Sequence, residues 1–143
     1  MLPRRQFRIL VTALLLTGSP ALAAAQSSPS ADSLAKAAAR QLDVGEQWFR
    51  SACLECHATG NLADADFRLQ WRGRSAFELF ERIRSTMPAS KPGSLTQGTY
   101  ASIVAYLMKV NGMPVGTQRV STDSSALASI RLTFPAAAAA NHR

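Results

Sequence analysis

The chain holds two cysteines, Cys53 and Cys56, and a histidine, His57, follows the second directly. No other feature constrains the fold as tightly. Residues at i and i+3 on a helix lie one turn apart on the same face. Two sulfurs so placed can reach the two vinyl groups on one edge of a porphyrin. Thioether bonds then fix the ring, and His57 is carried under the iron as proximal ligand. Cys-x-x-Cys-His is the attachment signature of haem c.

Competing uses of the same residues are weaker. A disulfide oxidoreductase also uses Cys-x-x-Cys, but within a βαβ pattern that this chain lacks. A structural zinc needs four ligands. Cys53, Cys56 and His57 make three, and the other histidine, His142, lies in the tail. In an exported protein two cysteines usually form a disulfide, but their close spacing here argues for the macrocycle.

The first residues read as an export signal. Arg4, Arg5 and Arg8 form a positive region, Ile9 to Leu16 an apolar run, and Ala21-Leu22-Ala23 or Ala23-Ala24-Ala25 a small-x-small cleavage site. The run is too short to cross a bilayer core, so we expect residues 1–25 to be a cleavable signal peptide and the mature protein to be periplasmic. The chain carries 16 Lys+Arg against 9 Asp+Glu. Setting aside the three signal arginines leaves 13 against 9, a net charge of +4. The acidic residues are interspersed with the arginines, and no basic stripe interleaved with aromatics is present, so a nucleic-acid role is excluded.

Periodicity predicts helices and no strands. Residues 26–42 read as a Ser/Ala-rich leader or linker. The organised part starts near Asp43, a candidate cap, with Val44, Trp48 and Ala52 on one face and Gly45, Phe49 and Cys53 on the adjacent stripe. Residues 58–74 read mostly as loop. Ser75 and Glu78 form a capping box that opens a second helix carrying Phe80, Ile83 and Met87, stopped by Pro88. Ser94 or Thr96 caps a third, with Tyr100, Ile103, Val104, Leu107 and Met108 at helical spacing, ended by Asn111-Gly112. Leu127, Ile130 and Leu132 can pack back from a weakly apolar tail. Residues 132–143 read as a low-complexity end. No stretch repeats.

A sixth iron ligand decides what the iron does. Met87, Met108, Met113 and His142 are the candidates. Met108 sits in a helix where core packing explains it. Met113 follows the last helix and more naturally covers an edge. Met87 ends one helix and precedes the last, so its loop can carry it over the ring face opposite His57. His57 and Met87 are therefore the expected metal ligands, with Phe49, Leu62, Phe80, Ile83 and Tyr106 as wall residues. Trp71, flanked by Arg72 and Arg74, offers an indole N–H and guanidinium groups for haem propionates.

On these residues the chain resembles the class I cytochrome c family over residues 43–131. Gly45 and Phe49 ahead of Cys53-Leu54-Glu55-Cys56-His57, the pair Met87-Pro88, and the final helix around Tyr100 to Leu107 carry the likeness. The resemblance implies an all-α fold of three to four helices around one covalent haem c, with Gly45 and Phe49 meeting Tyr106. Met87-Pro88, Pro92-Gly93-Ser94-Leu95, Asn111-Gly112 and Val115-Gly116 look like bacterial cytochromes associated with quinoprotein (pyrroloquinoline quinone) alcohol dehydrogenases. This narrower likeness implies an electron carrier rather than an enzyme, linking a periplasmic dehydrogenase to a respiratory acceptor such as a terminal oxidase or second cytochrome. The rival expectations are a haem subunit of such a dehydrogenase complex, and a haem protein with an open distal site for gas binding or peroxidase chemistry.

Overall fold

The computed structural model describes residues 29–135. The signal segment, most of the leader before Ser30, and His142 lie outside the described residues. Among the described residues five α-helices follow one another: α1 (Ala31–Ala52), α2 (Ala65–Trp71), α3 (Ala76–Thr86), α4 (Gln97–Val110) and α5 (Ser124–Ser129), with a 3-10 turn at Thr59–Leu62. Among the described residues there is no strand, only an isolated bridge between Ser75 and Arg131. None of the described helices is long and apolar enough to cross a membrane. The all-α expectation holds.

α1 begins twelve residues earlier than the sequence suggested. Ser30 caps it, accepting from the Ser33 N–H at 3.3 Å, and Asp32 complements the dipole in the first turn. Asp43 is an interior residue. The segment expected to be a leader is helical from Ala31 because its Ala, Leu and Lys content favours helix and because Gln41 is anchored. The Gln41 amide exchanges two 2.8 Å hydrogen bonds with the main chain of Val120, as a neighbouring strand would. That pair ties α1 to the segment before α5.

α1 and α4 form the frame. Ala38, Gln41, Gly45 and Phe49 are the buried residues of α1. Gly45 sits against the main chain of Ser102, where an added Cβ would lie 2.7 Å from the Ser102 carbonyl carbon and 2.9 Å from Tyr106 Cβ. Phe49 packs on Tyr106 with ring centroids 5.3 Å apart. The contact implied by the family resemblance is thus present. The other predicted face of α1 is not buried: Val44 is 40% and Trp48 38% exposed.

α4 is buried along every residue from Tyr100 to Met108. It is a central helix, not a one-sided amphipathic one. Ser102 and Tyr106 face α1, while Ala101, Val104 and Met108 join a core with Leu79, Phe80, Leu127 and Leu132. The tail closes this core. Leu127 on α5, Leu132 and Phe134 are buried, and the Gly73 N–H, Arg74 carbonyl and Ala76 N–H all bond the Ile130–Leu132 main chain. α5, capped by Asp123, was not anticipated, nor was the burial of Phe134 inside the expected low-complexity end.

The capping box at the start of α3 is complete. The Ser75 hydroxyl accepts from the Glu78 N–H at 3.2 Å, and Glu78 Oε2 accepts from the Ser75 N–H at 2.8 Å. These Ser75 hydrogen bonds, main-chain first, hold the Glu78 carboxyl below its ordinary range. A depressed carboxyl stabilises the fold above its unfolded value, and that gain is lost as pH falls through the lower folded value. Ser75→Ala keeps the main-chain bond and removes only those of the hydroxyl, which should cost about 1 kcal/mol near neutrality, the usual value of an N-cap. The gap between variant and parent melting curves should narrow as the pH is lowered through the carboxylate range.

Candidate functional site

The motif turn grows out of the end of α1. The Cys53 and Leu54 N–H groups both donate to the Phe49 carbonyl, at 3.0 and 3.2 Å, so the helix ends in a wider, i→i−5 turn. The Cys56 and His57 N–H groups then donate back to the Cys53 carbonyl at 3.1 and 2.8 Å. This single turn brings Cys53, Cys56 and His57 to the same wall of one cavity of about 560 Å³. Cys53 is half-buried and Cys56 exposed, and neither is in a disulfide. Burial pushes the Cys53 thiol up.

Met87 enters the same cavity from α3. Its N–H still donates to the Ile83 carbonyl at 2.8 Å, but its own backbone is extended (φ −128°, ψ 150°), so the chain leaves the helix there. Met108 and Met113 are buried in the core behind α4 and do not line the cavity. His142 lies outside the described residues. Of the described candidates for a second axial ligand, the fold brings Met87 alone to the site.

The walls between the two ends are mostly apolar, with Asp64, Asp66, Gln70 and Arg82 among the polar residues that also line the cavity. Phe49 comes from α1, Phe67 from α2, Leu79 and Ile83 from α3, Ile103 and Leu107 from α4. Of the expected wall residues Phe49, Leu62 and Ile83 are present. Phe80 and Tyr106 are not, because Phe80 turns into the core against Tyr100 and Tyr106 is taken up by Gly45 and Phe49. Leu62 is held through Asn111, whose Nδ2 donates to the Leu62 carbonyl at 2.7 Å while its Oδ1 accepts from Arg68 Nε at 3.2 Å. The sequence marked Asn111 only as a helix stop. Its burial, 1% exposed, is what reveals the second role.

Trp71 is buried and lines the cavity. Arg74, not Arg72, covers its ring, with the guanidinium carbon 5.4 Å from the centroid. Arg72 is exposed just past α2 and is not among the lining residues, since the chain turns outward at Gly73. Arg82, unremarked in the sequence, reaches the cavity from α3. α2 itself was read as loop, although Asp64 caps it and Phe67 and Trp71 lie one turn apart. That i, i+4 aromatic pair behind an acidic cap was the signal available.

The residues fit a haem. Two thiols and an imidazole occupy one wall of a cavity with mostly apolar sides, a thioether reaches it from another element, and an indole is available for the carboxylates. No group of three or more His, Cys, Asp or Glu that could hold a bare metal ion occurs among the described residues. Residues 40–107 match the model of the family described as cytochrome c oxidase, cbb3-type, subunit III. A search of the curated proteins and of the solved structures finds no match. The matched segment and the geometry of its cavity together support a class I c-type cytochrome domain, an all-α haem-based electron carrier whose cofactor is a covalently bound haem c.

Proposed function

We propose that this protein is an exported monohaem c-type cytochrome that receives single electrons from a periplasmic dehydrogenase and passes them to a respiratory acceptor. The observation that carries the reading is the one cavity joining Cys53, Cys56 and His57 to Met87. When bound, haem c supplies a one-electron ferric/ferrous couple. Cys53 and Cys56 would hold it through thioethers, and His57 and Met87 would supply the protein's two ligands to its iron, which would leave no place for oxygen or substrate. A thioether is a soft donor and favours the ferrous state. Phe49, Leu79, Ile103 and Leu107 exclude water, which raises the potential further by withholding solvation from the ferric charge. The Trp71 indole N–H would be available to a propionate, and Arg74, which covers its ring, would supply positive charge on that side.

The exposed Cys56 and Leu54, the latter 37% exposed, mark the rim where a redox partner docks. Interfaces of this kind are small, so a modest apolar rim suffices. The export signal supports a periplasmic location. The likeness to cytochromes of quinoprotein alcohol dehydrogenases supports such an enzyme as donor.

Met87→Ala tests the reading. The haem should stay covalently attached, lose its low-spin reduced spectrum, bind carbon monoxide readily, and fall in potential by on the order of 0.1 V, within the span that axial ligands control. An unchanged spectrum would instead favour a haem protein with an open distal site.

A further inference from the structure

Met87 opens the loop between α3 and α4, and Leu95 lies near the loop's end. The loop's own main-chain bonds are local: Lys91 N–H to the Pro88 carbonyl at 2.9 Å and Ser94 N–H to the Lys91 carbonyl at 3.3 Å. Tyr100 connects both ends of it to the frame. Its hydroxyl donates to the Met87 carbonyl at 2.8 Å and accepts from the Leu95 N–H at 3.3 Å. Both partners are main-chain atoms, so the bonds fix the path of the loop and not a rotamer.

The phenol is itself held rigidly. Tyr100 is 1% exposed, it packs edge-on against Phe80 with centroids 6.2 Å apart, and it belongs to the first turn of α4, which Thr96 caps. α4 in turn is set by its close approach to Gly45. The ring lines the same cavity as Met87.

We propose that Tyr100 is a positioning residue: its hydroxyl pins the Met87 main chain to α4 so that the thioether stays directed into the cavity. The proposal rests on Met87 being the second axial ligand. The hydroxyl does not touch the thioether. It acts on the equilibrium between a state with Met87 at the site and one with the loop displaced. Removing it leaves the Met87 carbonyl and the Leu95 N–H without a partner in the closed state only, because water serves both once the loop opens. The open population should rise roughly tenfold for a loss of this kind.

The test uses the haem-loaded, full-length protein in three variants, Tyr100→Phe, Phe80→Leu and Met87→Ala. Carbon monoxide association with the ferrous form and the reduction potential are measured for each. Tyr100→Phe should keep a low-spin resting spectrum, bind carbon monoxide roughly tenfold faster than the parent, and show a potential between those of the parent and Met87→Ala. Phe80→Leu loosens the packing of the ring but keeps the hydroxyl, so it should lower the melting temperature and leave the carbon monoxide rate at the parental value. A parental rate and potential in Tyr100→Phe, beside a high-spin Met87→Ala, would overturn the proposal and leave the axial assignment standing. Equal effects in Phe80→Leu and Tyr100→Phe would overturn it too, assigning the change to packing. A low-spin Met87→Ala that ignores carbon monoxide would overturn the axial assignment, and this proposal with it.

Discussion

Gly45→Ala should lower the melting midpoint of the haem-loaded protein by roughly 10–20 °C, while Gly98→Ala should leave it unchanged or slightly higher. Both are helical glycines, so intrinsic propensity favours alanine at each by about 1 kcal/mol. The surroundings separate them. A Cβ on Gly45 would meet the main chain of Ser102 and lie 2.9 Å from Tyr106 Cβ. The obstacle is helix backbone, which yields only if α1 and α4 move apart. Moving them strips Phe49 from Tyr106 and shifts the base from which Cys53 starts. The cost is at the upper end for overpacking, about 3 kcal/mol, and each kcal/mol is worth about 4–8 °C in a domain of this size. A Cβ on Gly98 would meet nothing nearer than Thr96 Oγ1 at 3.8 Å, an ordinary contact. Thermal melts of the two variants check the contrast, and equal behaviour would mean that α1 and α4 are not in close contact.

Cys53→Ser combined with Cys56→Ser should abolish all haem that survives acid extraction. The variant, purified without haem, should also lack the cooperative melting transition of the haem-loaded parent. The first effect follows from the chemistry of a hydroxyl, which forms no thioether with a vinyl group. The second follows from the size of the cavity. About 560 Å³ of space is bounded largely by aromatic and aliphatic side chains that have too few partners among themselves. Apolar surface left wet forfeits about 25 cal/mol per Å², and a core of this size has little to spare. The His57 and Met87 side chains alone can hold haem only reversibly. Absorption after acid extraction reads the first effect, and circular-dichroism melts of the haem-free variant and the haem-loaded parent read the second. Haem that remains with the double variant would overturn the attachment assignment.

Legibility differed between the parts of the site. Cys53, Cys56 and His57 were readable because their relation is local, set by one turn of chain. Met87 was readable because Pro88 ends a helix behind it and its competitors had ordinary explanations. Trp71 was found through its neighbours, but Arg74 rather than Arg72 stacks on it. That difference comes from the outward turn at Gly73 (φ 77°). Tyr100 and Asn111 were visible only as helix residues. Their hydrogen bonds run to main-chain atoms 13 and 49 positions away, and no periodicity records such a partner.

Local sequence sets the helical class, the Cys53-x-x-Cys56-His57 turn, the cap at Ser75, and the breaks at Pro88 and Asn111-Gly112, because each depends on residues within about one turn, whereas the choice of Thr96 over Ser94 as the cap of α4 came from the fold. Periodicity did not say which stripe of α1 is buried; the packing on α4 did. Val44 and Trp48 are bulkier than Gly45, and hydrophobicity favours them. Gly45 is buried instead because it admits the backbone of α4 at a distance no side chain permits, and Phe49 gains Tyr106 as a result. The same logic governs the tail. Leu127, Leu132 and Phe134 are scattered among polar and small residues, and their burial depends on a core surface that α3 and α4 create only after they have packed.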